Sequence, residues 1–261
     1  MQIPIYQVDA FTDRLFHGNP AAVCPLEDWL PDTLMQRIAS ENNLAETAFY
    51  VRRGGRFAIR WFTPLVEVDL CGHATLATAY VIFQVAGYGA PLVEFDSRSG
   101  QLRVTRSGDM LTLDFPCDPA VRTDPREDLA TALGSWPLEF HKGKTDYLLL
   151  YSSQEEIEAM QPDFHSLAQV PAQGIIVTAK GRDVDFVSRF FAPQVGISED
   201  PATGSSHTTL TPFWAQRLGR VELSAMQLSP RQGWMKCRLG GNRVHISGQA
   251  RLYLKGEIET E

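Results

Sequence analysis

The sequence predicts an α+β protein of two similar domains, each a sheet wrapped around one apolar helix. Three observations carry this expectation. Short runs rich in β-forming residues alternate with helix-length apolar periodicities along the 261-residue chain. Two distant segments share one design: Asp69-Leu70-Cys71-Gly72-His73-Ala74-Thr75 and Glu199-Asp200-Pro201-Ala202-Thr203-Gly204-Ser205-Ser206-His207. Each sets a carboxylate, glycine and small hydroxyl or alanine residues ahead of an apolar run of helical length. A smaller echo follows each, Ser99-Gly100-Gln101 and Ser247-Gly248-Gln249. The offsets are 134 residues between His73 and His207 and 148 between Ser99 and Ser247. Duplication of an α/β unit with loop insertions accounts for both.

The elements follow in order. Ile3 to Phe11 reads as a strand, and Gly18-Asn19-Pro20 as a turn leading into the short strand Ala21–Cys24. Pro31-Asp32 opens a helix whose apolar positions Leu34, Met35, Ile38 and Ala39 recur every three to four residues. It ends at Asn42-Asn43, residues suited to a left-handed cap. Thr47–Val51 and Phe57–Phe62 are strands joined by Gly54-Gly55. The helix from His73 to about Ala86 is apolar nearly all round and should be buried. Strands follow at Leu92–Phe95, Gly100–Thr105 and Met110–Phe115. Pro116, Pro119 and Pro125, interleaved with aspartates, mark a linker. This predicts domains of residues 1–116 and 117–261, with a last strand that can return to the first. The second half repeats the plan: helix Asp128–Leu133, strand Asp146–Tyr151, helices Gln154–Met160 and Phe164–Ala168, strands Gly174–Ala179 and Val184–Phe191. The second helix start comes next, then strands near Glu222–Gln227, Trp234–Leu239, Arg243–Ser247 and Ala250–Leu254.

Composition narrows the function. The net charge is −7 and no basic run occurs, so nucleic acid is a poor partner. The first residues lack the basic and apolar regions of a signal peptide, and no apolar stretch reaches the ~18–20 residues of a membrane span. A cytoplasmic location is the expectation. Cys24, Cys71, Cys117 and Cys237 form no CxxC pair, and the histidines show no ligand spacing, so no metal is expected.

The first turn of a helix leaves several N–H groups unpaired, and glycine admits close approach of a ligand. Two such helix starts serving one pocket would clamp an anion, for which a small carboxylate-bearing substrate is the natural choice. Glu46, flanked by Leu44, Ala45, Ala48 and Phe49, is the candidate proton-transfer acid, since apolar neighbours favour the proton-carrying form of a carboxyl. His73, Asp200, Ser205 and Asn19 are candidate substrate contacts. Local structure explains the same residues: a solvated glutamate at a helix end, a first-turn histidine, an N-capping aspartate ahead of Pro201, first-turn serines and a turn asparagine.

Four segments occurring in this order resemble the PhzF-like family of phenazine-biosynthesis isomerases over nearly the whole chain. They are Asp9-Ala10-Phe11-Thr12 with Gly18-Asn19-Pro20-Ala21-Ala22-Val23, Asn43-Leu44-Ala45-Glu46-Thr47-Ala48-Phe49, Cys71-Gly72-His73-Ala74-Thr75, and Glu199-Asp200-Pro201-Ala202-Thr203-Gly204-Ser205. The resemblance implies a diaminopimelate-epimerase-like fold of two pseudo-symmetric domains with the active site between them. It implies Glu46 as general acid/base, a substrate site lined by Asn19, Gly72, His73, Asp200, Gly204 and Ser205, no metal or organic cofactor, and a homodimer. It also implies trimmed loops in the second half, because the chain looks short for the family. Epimerases of this fold use two facing cysteines. Cys71 matches the first, but Pro201 and Ala202 stand where the second is expected, so an isomerase with one acid/base fits better than inversion by two. A non-catalytic binder of small anions is the third reading, against which Glu46 argues: a negative group beside an anion gains a pure binder nothing.

Overall fold

The computed structural model describes Met1–Thr260. The chain divides into two units, one of Met1–Asp114 with the residues from Ser247 onward, the other Phe115–Ile246.

In the first unit, the Gln2–Ala10 strand lies antiparallel to both Asn19–Leu26 and Ala250–Glu259. Asn19–Leu26 runs parallel to Glu46–Arg53, with Ala21 opposite Glu46. Parallel neighbours need a crossover, and helix α1 (Asp32–Asn42) supplies it. Met35, Ile38 and Ala39 are buried, as their spacing requires. Asn43 takes the left-handed cap conformation at φ 48° and donates its N–H to the Ala39 carbonyl. The chain then turns so that Glu46 opens the next strand. Arg56–Phe62 returns antiparallel, and Leu92–Ser97 lies parallel to Arg56–Phe62. The crossover between those two is helix α2 (Gly72–Tyr80), buried from Gly72 through Ala79. Its threonines need no water: the Thr75 and Thr78 hydroxyls donate to the Cys71 and Ala74 carbonyls one turn back. The sequence predicts one helix to about Ala86, whereas the α-helix ends at Tyr80 and continues as a π-turn over Val81–Val85. A π-turn shifts the phase of the side chains, and Val81, Ile82 and Phe83 are buried together there.

The second unit spells the same order. After helix α3 (Glu127–Leu133), Glu139–Lys142 pairs antiparallel with Asp146–Leu150. Asp146–Leu150 is parallel to Gly174–Lys180 across helices α4 (Gln154–Ala159) and α5 (Phe164–Leu167). Phe186–Phe191 returns antiparallel, and Glu222–Gln227 lies parallel to it across helix α6 (His207–Leu218). The repeat legible in the sequence is therefore a repeat of topology. The core of this unit gathers Leu129, Tyr147, Leu149, Ile157, Val177 and Phe191, all buried. Trp214 of α6 stacks on Phe186 at 5.7 Å and donates its indole N–H to Thr178 Oγ1 at 2.9 Å. Pro212 inside α6 has no N–H for the Thr208 carbonyl, and the Asp118 N–H takes that place at 3.1 Å. Among the described residues, no helix is long and apolar enough to cross a membrane.

Candidate active site

Three elements of the first unit bring Asn19, Glu46 and His73 together. Asn19 and Glu46 open parallel neighbouring strands, and the pairing of Ala21 with Glu46 sets their ends side by side. Gly18 makes the turn into Asn19 possible. It sits at φ +65°, and a Cβ there would lie 2.1 Å from the Ala10 carbonyl oxygen, so only glycine fits. His73 is in the first turn of α2, next to Gly72, and no side chain caps that helix. The Ala74 N–H faces the Cys71 thiol, and the helix dipole at this end favours a negative group.

Asn19 is fully buried, Glu46 is 8% exposed and His73 4%. Asn19 Nδ2 lies 3.0 Å from His73 Nδ1, an arrangement that makes Nδ1 the acceptor and leaves the proton of a neutral ring on Nε2. That Nε2 stands 3.1 Å from Glu46 Oε2. The approach is close but off the hydrogen-bond direction, so the contact is chiefly electrostatic. Cys71 Sγ lies 3.5 Å from Nδ1. Burial opposes a charge on His73, but the adjoining Cys71 and Glu46 outweigh it and hold the imidazole well above its ordinary value. A proton taken up by this pair belongs to the pair rather than to one residue. Burial, reinforced by Glu46, pushes the Cys71 thiol up to about 11, so it is not a ready thiolate.

The second unit holds Asp200, Gly204 and Ser205 in the loop before α6. Asp200 does not cap that helix, contrary to the expectation from Asp200-Pro201: the N-cap is Ser206, six residues on. Instead the Asp200 carboxylate accepts the Thr203 hydroxyl. Gln227, fully buried at the end of its strand, closes the loop. Its Nε2 donates to the Asp200 carbonyl at 2.7 Å and to Thr203 Oγ1 at 3.0 Å, while its Oε1 accepts the Thr203 N–H at 2.8 Å. Gly233 lets the loop lie against its strand, since a Cβ there would come within 2.4 Å of the Ala202 methyl. Ser206 is buried and donates to the Thr203 carbonyl at 2.9 Å, whereas Ser205 is exposed. No side chain caps α6, and its first amides are taken up by the turn before it: His207, Thr208 and Thr209 N–H donate to the Gly204, Ser205 and Ser206 carbonyls at 3.1, 3.0 and 3.1 Å.

The two helix starts differ in one decisive way. His207, the counterpart of His73, is fully buried, with Nδ1 2.8 Å from the Thr203 carbonyl. Among the described residues no carboxylate pairs with it, and burial brings its pKa down to about 4. The strand position matching Glu46 is Gly174, the first residue of its strand, paired with Asp146. The residues preceding His207 are Ser205 and Ser206 rather than Pro201 and Ala202, and neither is a thiol. Sequence reasoning singled out Asn19, Glu46, Gly72 and His73, which the first unit gathers, and Asp200, Gly204 and Ser205, which the second gathers. It missed Gln227, whose only local signal is a polar residue in the buried phase of an alternating strand.

This is the frame of an epimerase-like α+β isomerase carrying one buried carboxylate–imidazole pair. The comparisons agree. The phenazine biosynthesis-like protein family matches residues 8–256. An uncharacterized isomerase of Pseudomonas aeruginosa is 53% identical over 259 residues, covering 99% of each chain. The crystal structure of a PhzF-family phenazine biosynthesis protein from Enterococcus faecalis is 46% identical, with a TM-score of 0.97 and full coverage of both chains. A hydroxyproline epimerase from Agrobacterium vitis, 10% identical with a TM-score of 0.63, shares the fold alone. The chain belongs to the phenazine biosynthesis-like (PhzF) family and is an isomerase with the diaminopimelate-epimerase-like fold. The match to a phenazine biosynthesis-like domain-containing protein of Homo sapiens, 40% identical and covering 99% of each chain, spans 286 positions against 261 residues here, so this chain is shorter than that relative.

Proposed function

We propose that the protein is a cofactor-independent isomerase that moves a proton within a small carboxylate-bearing metabolite, with Glu46 as its single acid/base. The observation that supports this reading most is the 3.1 Å approach of His73 to Glu46 in the first unit, which the second unit does not repeat. Glu46 takes a proton from one carbon and returns it to another. His73, held in place by Asn19, steadies the carboxylate and donates to oxygen on which charge develops. Inversion of a stereocentre needs a second acid/base on the opposite face, and the serines preceding His207 are no substitute for a thiolate.

A panel of small unsaturated and hydroxy carboxylates incubated with the protein in D₂O and followed by NMR tests the mechanism. Deuterium should enter at the new carbon with no racemisation beside it. Some hydrogen should be retained, because a carboxyl shielded from water can hand back the proton it took. A product that is the mirror configuration of its substrate at an otherwise unchanged carbon would overturn the single-base reading.

The start of α2 also supports a role in holding the substrate's carboxylate, contributing roughly 0.3–1 kcal/mol toward an exposed negative charge, more when buried. Sulfate should therefore slow hydrogen exchange modestly around Gly72 and His73. Unchanged exchange there would sink this part of the proposal.

A further inference from the structure

We infer that Gln227 is a positioning residue that fixes the Asp200 carboxylate through the hydroxyl of Thr203. The inference rests on the isomerase reading above, with Asp200 as a substrate contact. The segment from Asp200 to Thr203 lies outside helix and strand, so its backbone groups need partners from elsewhere. The hairpin of Glu222–Gln227 and Gly233–Gly240 supplies them. Gln227 is fully buried and its amide spans the segment. Nε2 donates to the Asp200 carbonyl at 2.7 Å, and Oε1 accepts the Thr203 N–H at 2.8 Å. Between those two points, Ser229 Oγ donates to the Pro201 carbonyl at 2.8 Å.

The polarity of this network admits one arrangement. A carbonyl only accepts and a backbone N–H only donates, so the Gln227 amide cannot be flipped. Its second N–H therefore donates to Thr203 Oγ1, 3.0 Å away. A hydroxyl has a single proton, and that of Thr203 goes to the Asp200 carboxylate. Amide, hydroxyl and carboxylate thus form one directed chain, in which each donor is committed by the group before it. The carboxylate is held as an acceptor in a set orientation, a preorganisation that a site carried on a loop otherwise lacks.

Variants of the full-length protein separate orientation from folding. Gln227→Met keeps length and removes every hydrogen bond of the amide. Thr203→Val removes the hydroxyl alone and leaves the bonds from Gln227 to the backbone. On a carboxylate that the D₂O panel shows to be a substrate, each should raise KM on the order of tenfold and change kcat by less than about threefold. Combining them should do no more than the worse single variant, because both break one chain. Thr203→Ser, which keeps the hydroxyl, should stay within about threefold of the parent KM. Amide exchange at position 203 needs no substrate. It should quicken at least about tenfold in Gln227→Met and stay unchanged in Thr203→Val. Circular dichroism checks each fold, and should Gln227→Met not fold, the two Thr203 variants decide the question. Parent KM in Thr203→Val, equal damage from Thr203→Ser, or unchanged exchange in Gln227→Met overturns the inference. Asp200→Asn reads the premise separately. A raised KM there beside parent KM in Thr203→Val confines the failure to Gln227, whereas parent KM in Asp200→Asn removes Asp200 from the substrate site and overturns both.

Discussion

Glu46→Gln is expected to lower turnover by on the order of 10²–10⁴, measured on whichever carboxylate the D₂O panel shows to be a substrate. Glutamine keeps the shape and polarity of the side chain and removes the group that carries the proton. Thermal unfolding should change modestly, because glutamine keeps a polar contact with His73 Nε2 and the substitution opens no cavity. Cys71→Ser is the companion variant. Cys71 touches the His73 ring at 3.5 Å, but no thiol precedes His207 to complete a two-base pair. Its rate should stay within about tenfold of the parent. Equal damage from the two substitutions would place a thiol in the proton path and make a two-base epimerase the leading reading.

Much of this site can be read in the linear chain, because its signals are local. Gly72-His73 ahead of an apolar run announces a buried helix with an open N-terminus, and Asn42-Asn43 announces the left-handed turn that delivers Glu46 to a strand end. What the chain does not display is register. Glu46 and His73 are 27 positions apart, and their contact depends on Ala21 pairing with Glu46, which is set by the whole sheet. The same limit explains the N-cap error. Asp200-Pro201 has the local chemistry of a helix start, but three hydrogen bonds from Gln227 hold Asp200 and Thr203 in a loop instead, and α6 begins only at His207. Gln227 itself looks like any polar residue in an alternating strand, since burial of its amide is a tertiary fact. The π-turn after Tyr80 is likewise hidden, because its residues continue an apolar helical pattern without a break.

The second large effect concerns stability against pH, where two buried groups of the second unit act in opposite directions. Burial lowers the His207 pKa from 6.5 to about 4. The unfolded chain therefore binds a proton there before the folded one does. The stabilising contribution is present above pH 6.5 and is lost as pH falls toward 4, by up to about 3 kcal/mol. Burial, with Asp118 nearby, raises the Asp146 pKa from 3.8 to about 6. Here the folded chain binds the proton first, so stability is present in full below 3.8 and is lost as pH rises through 6. Its size is also about 3 kcal/mol. In the parent protein these contributions offset each other between pH 4 and 6.5. Single substitutions expose them. In Asp146→Asn, urea-derived stability should fall more steeply than in the parent as the solution is acidified through that window, because the His207 contribution is no longer offset by Asp146. In His207→Asn, which retains a donor for the Thr203 carbonyl, stability should rise over the same window. The slope is the quantity to compare, since each substitution also changes the absolute stability. Parallel slopes in the two variants would show that these groups do not govern the acid limb, whereas slopes of opposite sign require two oppositely perturbed buried groups in one unit.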